Sequence, residues 1–322
     1  MRFSIRRWAC GALASAFSTA VLAAAPYPDK PIRLIVPWPA GGSADTIGRS
    51  LGDALGKRLN ATVVVENVAG ASGTIATAQF VRAAPDGYTL LLASSSANVS
   101  APNLYANVHF DPIQDFTPIG EVALVPSVLI VPAGSSFRRP ADIVAAAREQ
   151  PGKLSYGSGG VGNSGHLSGE LFRSITGIDV THVPYKGNNP ALTDLIGGRL
   201  DFMFDNGAIA HIQSKRVRAL AVASAARLQA LPDVPTFEEL AIPGMQLTTW
   251  FGLAAPAGTP ASVVKKLSAA LNAVMSDPDY SQRLTAMGAE LRQSTPAAFT
   301  GFWAQELERY RTLIQSAGIQ VN

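Results

Sequence analysis

The 322-residue chain carries 26 Lys+Arg against 23 Asp+Glu, but Arg2, Arg6 and Arg7 lie in a leader, so the remainder is formally neutral at 23 against 23. A neutral chain offers no basic field for nucleic acid or an anionic membrane surface. The single cysteine, Cys10, also lies in the leader, so no disulfide can hold the fold. About 297 residues with high apolar content must do so instead, a length that suits two domains.

Residues 1–25 read as an export signal. Arg2, Arg6 and Arg7 form a basic start, an apolar stretch covers 9–22, and Ala23-Ala24-Ala25 is a small-residue cleavage site. Pro26 disfavours cleavage directly before it, so the scissile bond stays open. Arg6-Arg7 admits twin-arginine export, but the ordinary secretory route fits better. The context of Cys10 is not that of a lipid anchor, and nothing after the leader reaches the roughly 20 apolar residues of a membrane span. The expectation is an exported, soluble, periplasmic protein.

After the leader, β-branched runs alternate with longer amphipathic or Ala-rich stretches, the pattern of an α/β fold with largely parallel sheets. Strands are expected over 32–36, 62–67, 89–93, 128–131, 154–156, 180–184, 202–204 and 219–222. Helices are expected over 44–59, 74–83, 141–149, 164–176, 191–197, 262–275, 278–287 and 296–317. Pro140 and Pro260 suit helix starts, and Gly152, Gly177 and Gly288 suit helix ends. A Pro-punctuated stretch over 115–126 separates a first α/β unit from a second beginning near Ser127. The expected division is therefore a first lobe over 26–125, a second over 126–224, and a return to the first over 225–322. Two crossings between lobes describe a binder that closes on a hinge.

Two glycine-rich loops, each between a strand and a helix, are the chemical signal. The first is Pro37-Trp38-Pro39-Ala40-Gly41-Gly42-Ser43-Ala44-Asp45; the second is Gly157-Ser158-Gly159-Gly160-Val161-Gly162-Asn163-Ser164-Gly165-His166. Glycine lets a ligand approach the backbone, and a helix start offers free N–H groups and the positive end of its dipole to an anion. On local sequence alone the first loop is equally a tight turn with Ser43 and Asp45 as caps. Trp38 is either a core plug or an aromatic wall, with its loop position favouring the wall. The second loop satisfies a dinucleotide fingerprint, but the acid that should end the following strand is missing, since that strand ends in Pro184-Tyr185-Lys186. It reads instead as a carboxylate cradle, with Ser158, Asn163 and Ser164 adding donors. His166 reads as a structural hydrogen-bonder rather than a catalyst. Lys186 is either solvated or the positive charge beside a ligand carboxylate. Asp205 either caps a helix or meets a ligand ammonium, hydroxyl or water, and Asn206 stands beside it at a strand end. There is no Gly-x-Ser-x-Gly elbow and no metal-ligand spacing among His109, His166, His182 and His211, so no catalytic or metal residue is assigned and no cofactor is expected.

The first loop resembles the opening motif of the Bug family of extracytoplasmic solute receptors, the periplasmic components of tripartite tricarboxylate transporters. The resemblance continues through Pro85-Asp86-Gly87-Tyr88-Thr89-Leu90-Leu91, Gly165-His166-Leu167-Ser168-Gly169-Glu170-Leu171-Phe172, Val183-Pro184-Tyr185-Lys186-Gly187, Asp201-Phe202-Met203-Phe204-Asp205-Asn206 and Trp250-Phe251-Gly252-Leu253. It spans the mature chain in order, and that collinearity is more specific than any one motif. It implies a two-lobed type II periplasmic-binding-protein fold with the ligand in the cleft. It also implies a small carboxylate ligand and a transporter membrane subunit as partner; with no catalytic motif no enzymatic role is expected, and the protein is expected to be a monomer. The ligand could be a di- or tricarboxylate, an acidic amino acid or an aromatic acid. Two departures bear on ligand identity: Asn98 and Ala101-Pro102 replace the family's usual residues ahead of Leu104-Tyr105, and the turn after Asn206 is about two residues shorter.

The expected ligand-binding set is Trp38, Ala40, Gly41, Gly42, Ser43, Asp45, Ser94, Ser95, Asn98, Ser158, Gly162, Asn163, Ser164, His166, Tyr185, Lys186, Asp205 and Asn206. Two other classes remain open: an exported α/β enzyme acting on a carboxylic-acid derivative, and a ligand sensor without a transport role.

Overall fold

The computed structural model describes residues 27–319, so the expected leader and its cleavage site lie outside the described residues. In chain order the strands are β1 (Ile32–Val36), β2 (Val63–Asn67), β3 (Thr89–Ser94), β4 (Phe116–Pro126), β5 (Val128–Pro132), β6 (Ser155–Ser158), β7 (Thr181–Pro184), β8 (Phe202–Asp205), β9 (Val217–Val222), β10 (Thr248–Pro256) and β11 (Glu290–Leu291). They form two sheets, in the orders β11-β4-β10-β3-β1-β2 and β7-β6-β8-β5-β9.

The alternation of side chains along β1 fixes what each face of the first sheet buries. Ile32, Leu34 and Val36 meet Ile47, Leu51 and Leu55 of the Ser43–Leu59 helix and Leu267 and Leu271 of the Ala261–Met275 helix. Ile35 points the other way, into a cluster with Phe80, Trp250, Phe299 and Trp303. Gly252 of β10 is what lets Phe299 lie so close, since a Cβ there would stand 2.1 Å from its ring. The second sheet is likewise covered twice, by Tyr156, Phe172, Phe202 and Phe204 around Leu129, and by Ala191, Leu195 and Met203 around Ile130. Each fully buried large apolar side chain contributes about 1.5–3 kcal/mol to holding these cores together.

Three expectations are corrected. The sheets are mixed rather than largely parallel: β1 pairs in parallel with β2 and β3, and β6 with β7 and β8, whereas β10 is antiparallel to β3 and β4, and β5 to β8 and β9. The antiparallel strands are those near the crossings, where β4 runs into β5 through Ser127 with no helical connection. The Pro-punctuated stretch does separate the two units at Ser127, but it is itself most of the 11-residue strand β4. Pro118 is tolerated because β11 covers β4 only at Ala123 and Leu124, and the pairing with β10 shifts register beside it. Finally, the chain does not leave the second sheet at 225. Phe237 and Met245 pack with Leu129, Thr236 bridges Val222, and the return begins with Leu247 and β10.

The helices follow their sequence signals closely. The helix Ser164–Thr176 ends at Gly177 with φ +65°, and Pro140 opens Pro140–Glu149. Short turns at Ser96–Ser100, Ala101–Leu104 and Ile209–Gln213 went unsignalled by any periodic run. Among the described residues no helix is long and apolar enough to cross a membrane.

Candidate functional site

The carboxyl ends of β1, β3 and β8, and the starts of three helices, Ser43–Leu59, Ser164–Thr176 and Asn188–Ile196, surround one cavity of about 190 Å³. Its wall contains Trp38, Pro39, Ala40, Gly42, Ser43, Ala44, Ser94, Ser96, Asn163, Ser164, Lys186, Gly187, Asn188, Asn189, Pro190, Asn206, Thr249 and Phe251. Lys186 is the one charged side chain in that wall, and no carboxylate belongs to it. Three helix starts and an ammonium group make the space complementary to an anion. Trp38, Pro39 and Phe251 supply an apolar side for a carbon skeleton.

The first loop holds its shape through its own acid. Gly41, at φ +85°, donates its N–H to Asp45 Oδ2 at 2.8 Å, and Arg49 Nε lies 2.9 Å from Asp45 Oδ1. Burial works against the charge of Asp45, but the Gly41 N–H and Arg49 hold its carboxyl below the usual range. Gly42 precedes the Ser43–Leu59 helix with no side-chain cap, which leaves the first-turn N–H groups of that helix available at the cavity.

The second loop and β8 are joined by a directed run of amides. Asn163 Oδ1 accepts from the His166 N–H at 2.9 Å, and Asn163 Nδ2 donates to Asn188 Oδ1 at 2.9 Å. Asn188 Nδ2 then donates to Asp205 Oδ1 at 2.7 Å, where Gly207 N–H also donates at 3.1 Å. The backbone donor at one end and the carboxylate at the other fix the orientation of both amides. Asp205 is 3% exposed, and burial pushes its carboxyl up.

The two lobes touch across the cavity. Ser43 Oγ donates to Asn206 Oδ1 at 3.0 Å, and Asn206 Nδ2 donates to Thr249 Oγ1 at 3.2 Å. At the other side of the cleft, Ser100 Oγ donates to the Gly162 carbonyl at 2.8 Å and Tyr105 OH to the Val161 carbonyl at 3.0 Å, with Ser72 Oγ on the same Val161 oxygen. The structure is a closed cleft.

The expected residues divide by this geometry. Trp38, Ala40, Gly42, Ser43, Ser94, Asn163, Ser164, Lys186 and Asn206 line the cavity, while Gly41 and Asp205 line an adjoining one. Asp45, Ser95, Asn98, Ser158, Gly162, His166 and Tyr185 are in neither wall. Most of these are committed elsewhere. Asn98 Oδ1 accepts from Ser94 N–H at 2.9 Å, and Tyr185 OH donates to Asp194 at 2.7 Å. His166 Nδ1 accepts from Gly162 N–H at 3.0 Å, its ring stacks on His182, and His182 Nε2 lies 2.7 Å from Ser158 Oγ. The wall residues missed in the sequence are chiefly Ser96, Asn188, Asn189, Thr249 and Phe251. The Gly187-Asn188-Asn189-Pro190 helix start was the available signal for two of them. Among the described residues no group of three or more His, Cys, Asp or Glu is placed to hold a metal ion.

Comparison with known proteins agrees with this geometry. The family described as "Tripartite tricarboxylate transporter family receptor" matches residues 47–319. Protein BugT of Bordetella pertussis is 34% identical over 312 residues, covering 96% of each chain. The solved periplasmic binding protein BugD is 36% identical with a TM-score of 0.87, covering 91% of this chain and 99% of its own. An R. palustris protein solved with adipate is 32% identical with a TM-score of 0.89, covering 91% of this chain and 99% of its own. MatC from Rhodopseudomonas palustris with bound malate is 30% identical with a TM-score of 0.84, covering 89% of this chain and all of its own. The fold is thus that of the two-lobed periplasmic binding proteins, and the chain belongs to the tripartite tricarboxylate transporter receptor family, which includes the Bug proteins.

Proposed function

We propose that this protein is an exported periplasmic receptor that captures a small carboxylate between its lobes and hands it to the membrane subunits of a transporter. The observation that carries this reading is the cavity at three helix starts with Lys186 as its one charge. Its size suits a short acid with one or two carboxylates. The adipate and malate held by two relatives of similar fold make short aliphatic carboxylic acids the first ligands to try. The wall contains hydroxyls, amides and one ammonium, and the His166–His182 pair lies behind the loop, which supports binding as the role of these donors.

Mass spectrometry of ligand copurified with the mature protein, followed by calorimetry with mono-, di- and tricarboxylates, tests this directly. Lys186→Ala should weaken binding, and the loss should grow with each carboxylate because each adds a charge near the missing ammonium. A loss independent of ligand charge would remove Lys186 from the site. Recovery of chemically converted ligand after prolonged incubation would replace the receptor reading with an enzymatic one. Deletion of residues 1–25 should abolish uptake by cells while leaving the purified protein's binding intact.

A further inference from the structure

A second cavity of about 300 Å³ adjoins the first and shares Gly42, Ser43, Asn188, Asn189 and Asn206 with it. The common wall is therefore thin, and the Ser43 Oγ–Asn206 Oδ1 hydrogen bond of 3.0 Å runs across it from one lobe to the other. The two spaces differ in charge. The first contains Lys186 and no acid; the second contains Asp205, 3% exposed, and neither lysine nor arginine. His211 also lines the second space, and its Nδ1 is buried without a hydrogen-bond partner among the described residues.

We propose that the second chamber is a distal subsite for the far end of an elongated carboxylic acid whose tail carries a hydrogen-bond donor, a hydroxyl or an ammonium, with the Ser43–Asn206 pair as its gate. This deepens, and rests on, the carboxylate-receptor reading above. A carboxylate held among the helix starts and Lys186 directs its chain at the shared wall. There the bond to break is one neutral hydroxyl–amide hydrogen bond. Once the tail has passed, Asn206 Oδ1 is without the Ser43 hydroxyl, a loss that the bond from the tail's donor to Asp205 must outweigh. Beyond the gate, Asp205 and the open nitrogen of His211 meet the tail. A second carboxylate would face the Asp205 carboxyl with neither lysine nor arginine in the wall to offset it, so the chamber favours a donor.

The test compares hexanoate, ω-hydroxyhexanoate, ω-aminohexanoate and adipate with the short acid butyrate, by calorimetry on the full mature protein. Two variants are used. Gly207→Leu fills the chamber: Gly207 has ordinary backbone geometry, and a Cβ there stands 3.6 Å from the Cβ and backbone nitrogen of Ser43 and 3.7 Å from Asp205, so the fold accepts a side chain, and butyrate reports any effect on the first cavity. Asn206→Ala removes the gate. The ω-hydroxy and ω-amino acids should bind the wild type better than hexanoate or adipate. Gly207→Leu should lower their affinity about tenfold relative to butyrate, and Asn206→Ala should raise that ratio severalfold. Ratios unchanged in both variants, with butyrate still bound, would overturn the distal subsite alone. If the wild type binds none of these acids, nor any di- or tricarboxylate, the receptor reading itself falls and the subsite with it.

Discussion

Ser127 donates its backbone N–H to the Leu247 carbonyl at 3.4 Å, and so ties together the two points at which the chain crosses between sheets. The Ser127 carbonyl accepts from Ala223 N–H at 2.8 Å, and Leu247 N–H donates back to Ala223 at 3.1 Å. On the first-sheet side the crossing strands remain paired, Pro126 opposite Thr248. The two chain crossings therefore lie side by side, tied to each other by backbone bonds, which makes them the candidate hinge. Thr249 and Phe251, which line the cavity, stand one and three residues beyond the Thr248 end of that hinge.

This arrangement makes closure the measurable consequence of binding. A ligand at 100 times its dissociation constant should add about 2.7 kcal/mol to stability, read as a rise in melting temperature. Small-angle scattering should show the saturated protein smaller than the ligand-free one. Identical dimensions in the two states would refute a clamp that closes about Ser127 and Leu247.

The first loop should bind through its backbone. Gly42 lines the cavity and has room for a Cβ, whose nearest neighbour would be the Pro39 carbonyl at 3.9 Å. Gly42→Val therefore leaves the fold intact but fills the space a carboxylate needs, and binding should be lost. Ser43→Ala removes one hydroxyl and should cost only about 1 kcal/mol. Calorimetry on both, with circular dichroism as the folding control, decides the matter. Equal losses would mean that side-chain hydroxyls rather than N–H groups hold the ligand.

How far the sequence reached can be judged from these same residues. The glycine loops, the helix Ser164–Thr176 and its Asn163 start were legible because cap chemistry and hydrophobic period act locally. Strand β4 was not, because Pro118 is tolerated only through an unpaired strand edge that tertiary structure creates. The cavity wall was half legible for the same reason. Loop positions such as Gly42 and Asn163 announce themselves, whereas Thr249 and Phe251 reach the site only because β10 returns beside β3. His166 and Ser158 sit in the right motif, but their hydrogen bonds turn inward, and no local pattern reveals which way a side chain is committed.

Ser100 and Tyr105 should set how readily the cleft closes. Each spends a hydroxyl on the carbonyl of a loop residue in the opposite lobe, outside the cavity wall. Ser100→Ala or Tyr105→Phe removes one such bond of about 1 kcal/mol from the closed state alone, so each should weaken ligand binding about fivefold. Scattering of the ligand-free variants should show larger average dimensions than the wild type. Unchanged affinity in both variants would mean that the bonds form without favouring closure.

The second lobe should lose stability in acid through its buried histidines. Burial, reinforced by neighbouring His166, pushes His182 down from 6.5 to about 3, and burial also lowers His166. Folding thus favours the neutral rings, whereas unfolding lets them take up protons. The contribution is fully present above pH 6.5 and is lost progressively as pH falls toward 3. The slope is bounded by about 1.4 kcal/mol per pH unit for each ring, and the half-buried position of His182 makes the realised slope smaller. His182→Gln keeps a partner for Ser158 Oγ and removes one titrating ring. Urea unfolding measured across that acid range should give a shallower decline for the variant. Affinity for the carboxylate near neutral pH should be unchanged, because His182 is not in the cavity wall. A variant that declines as steeply as the wild type would assign acid sensitivity to other groups.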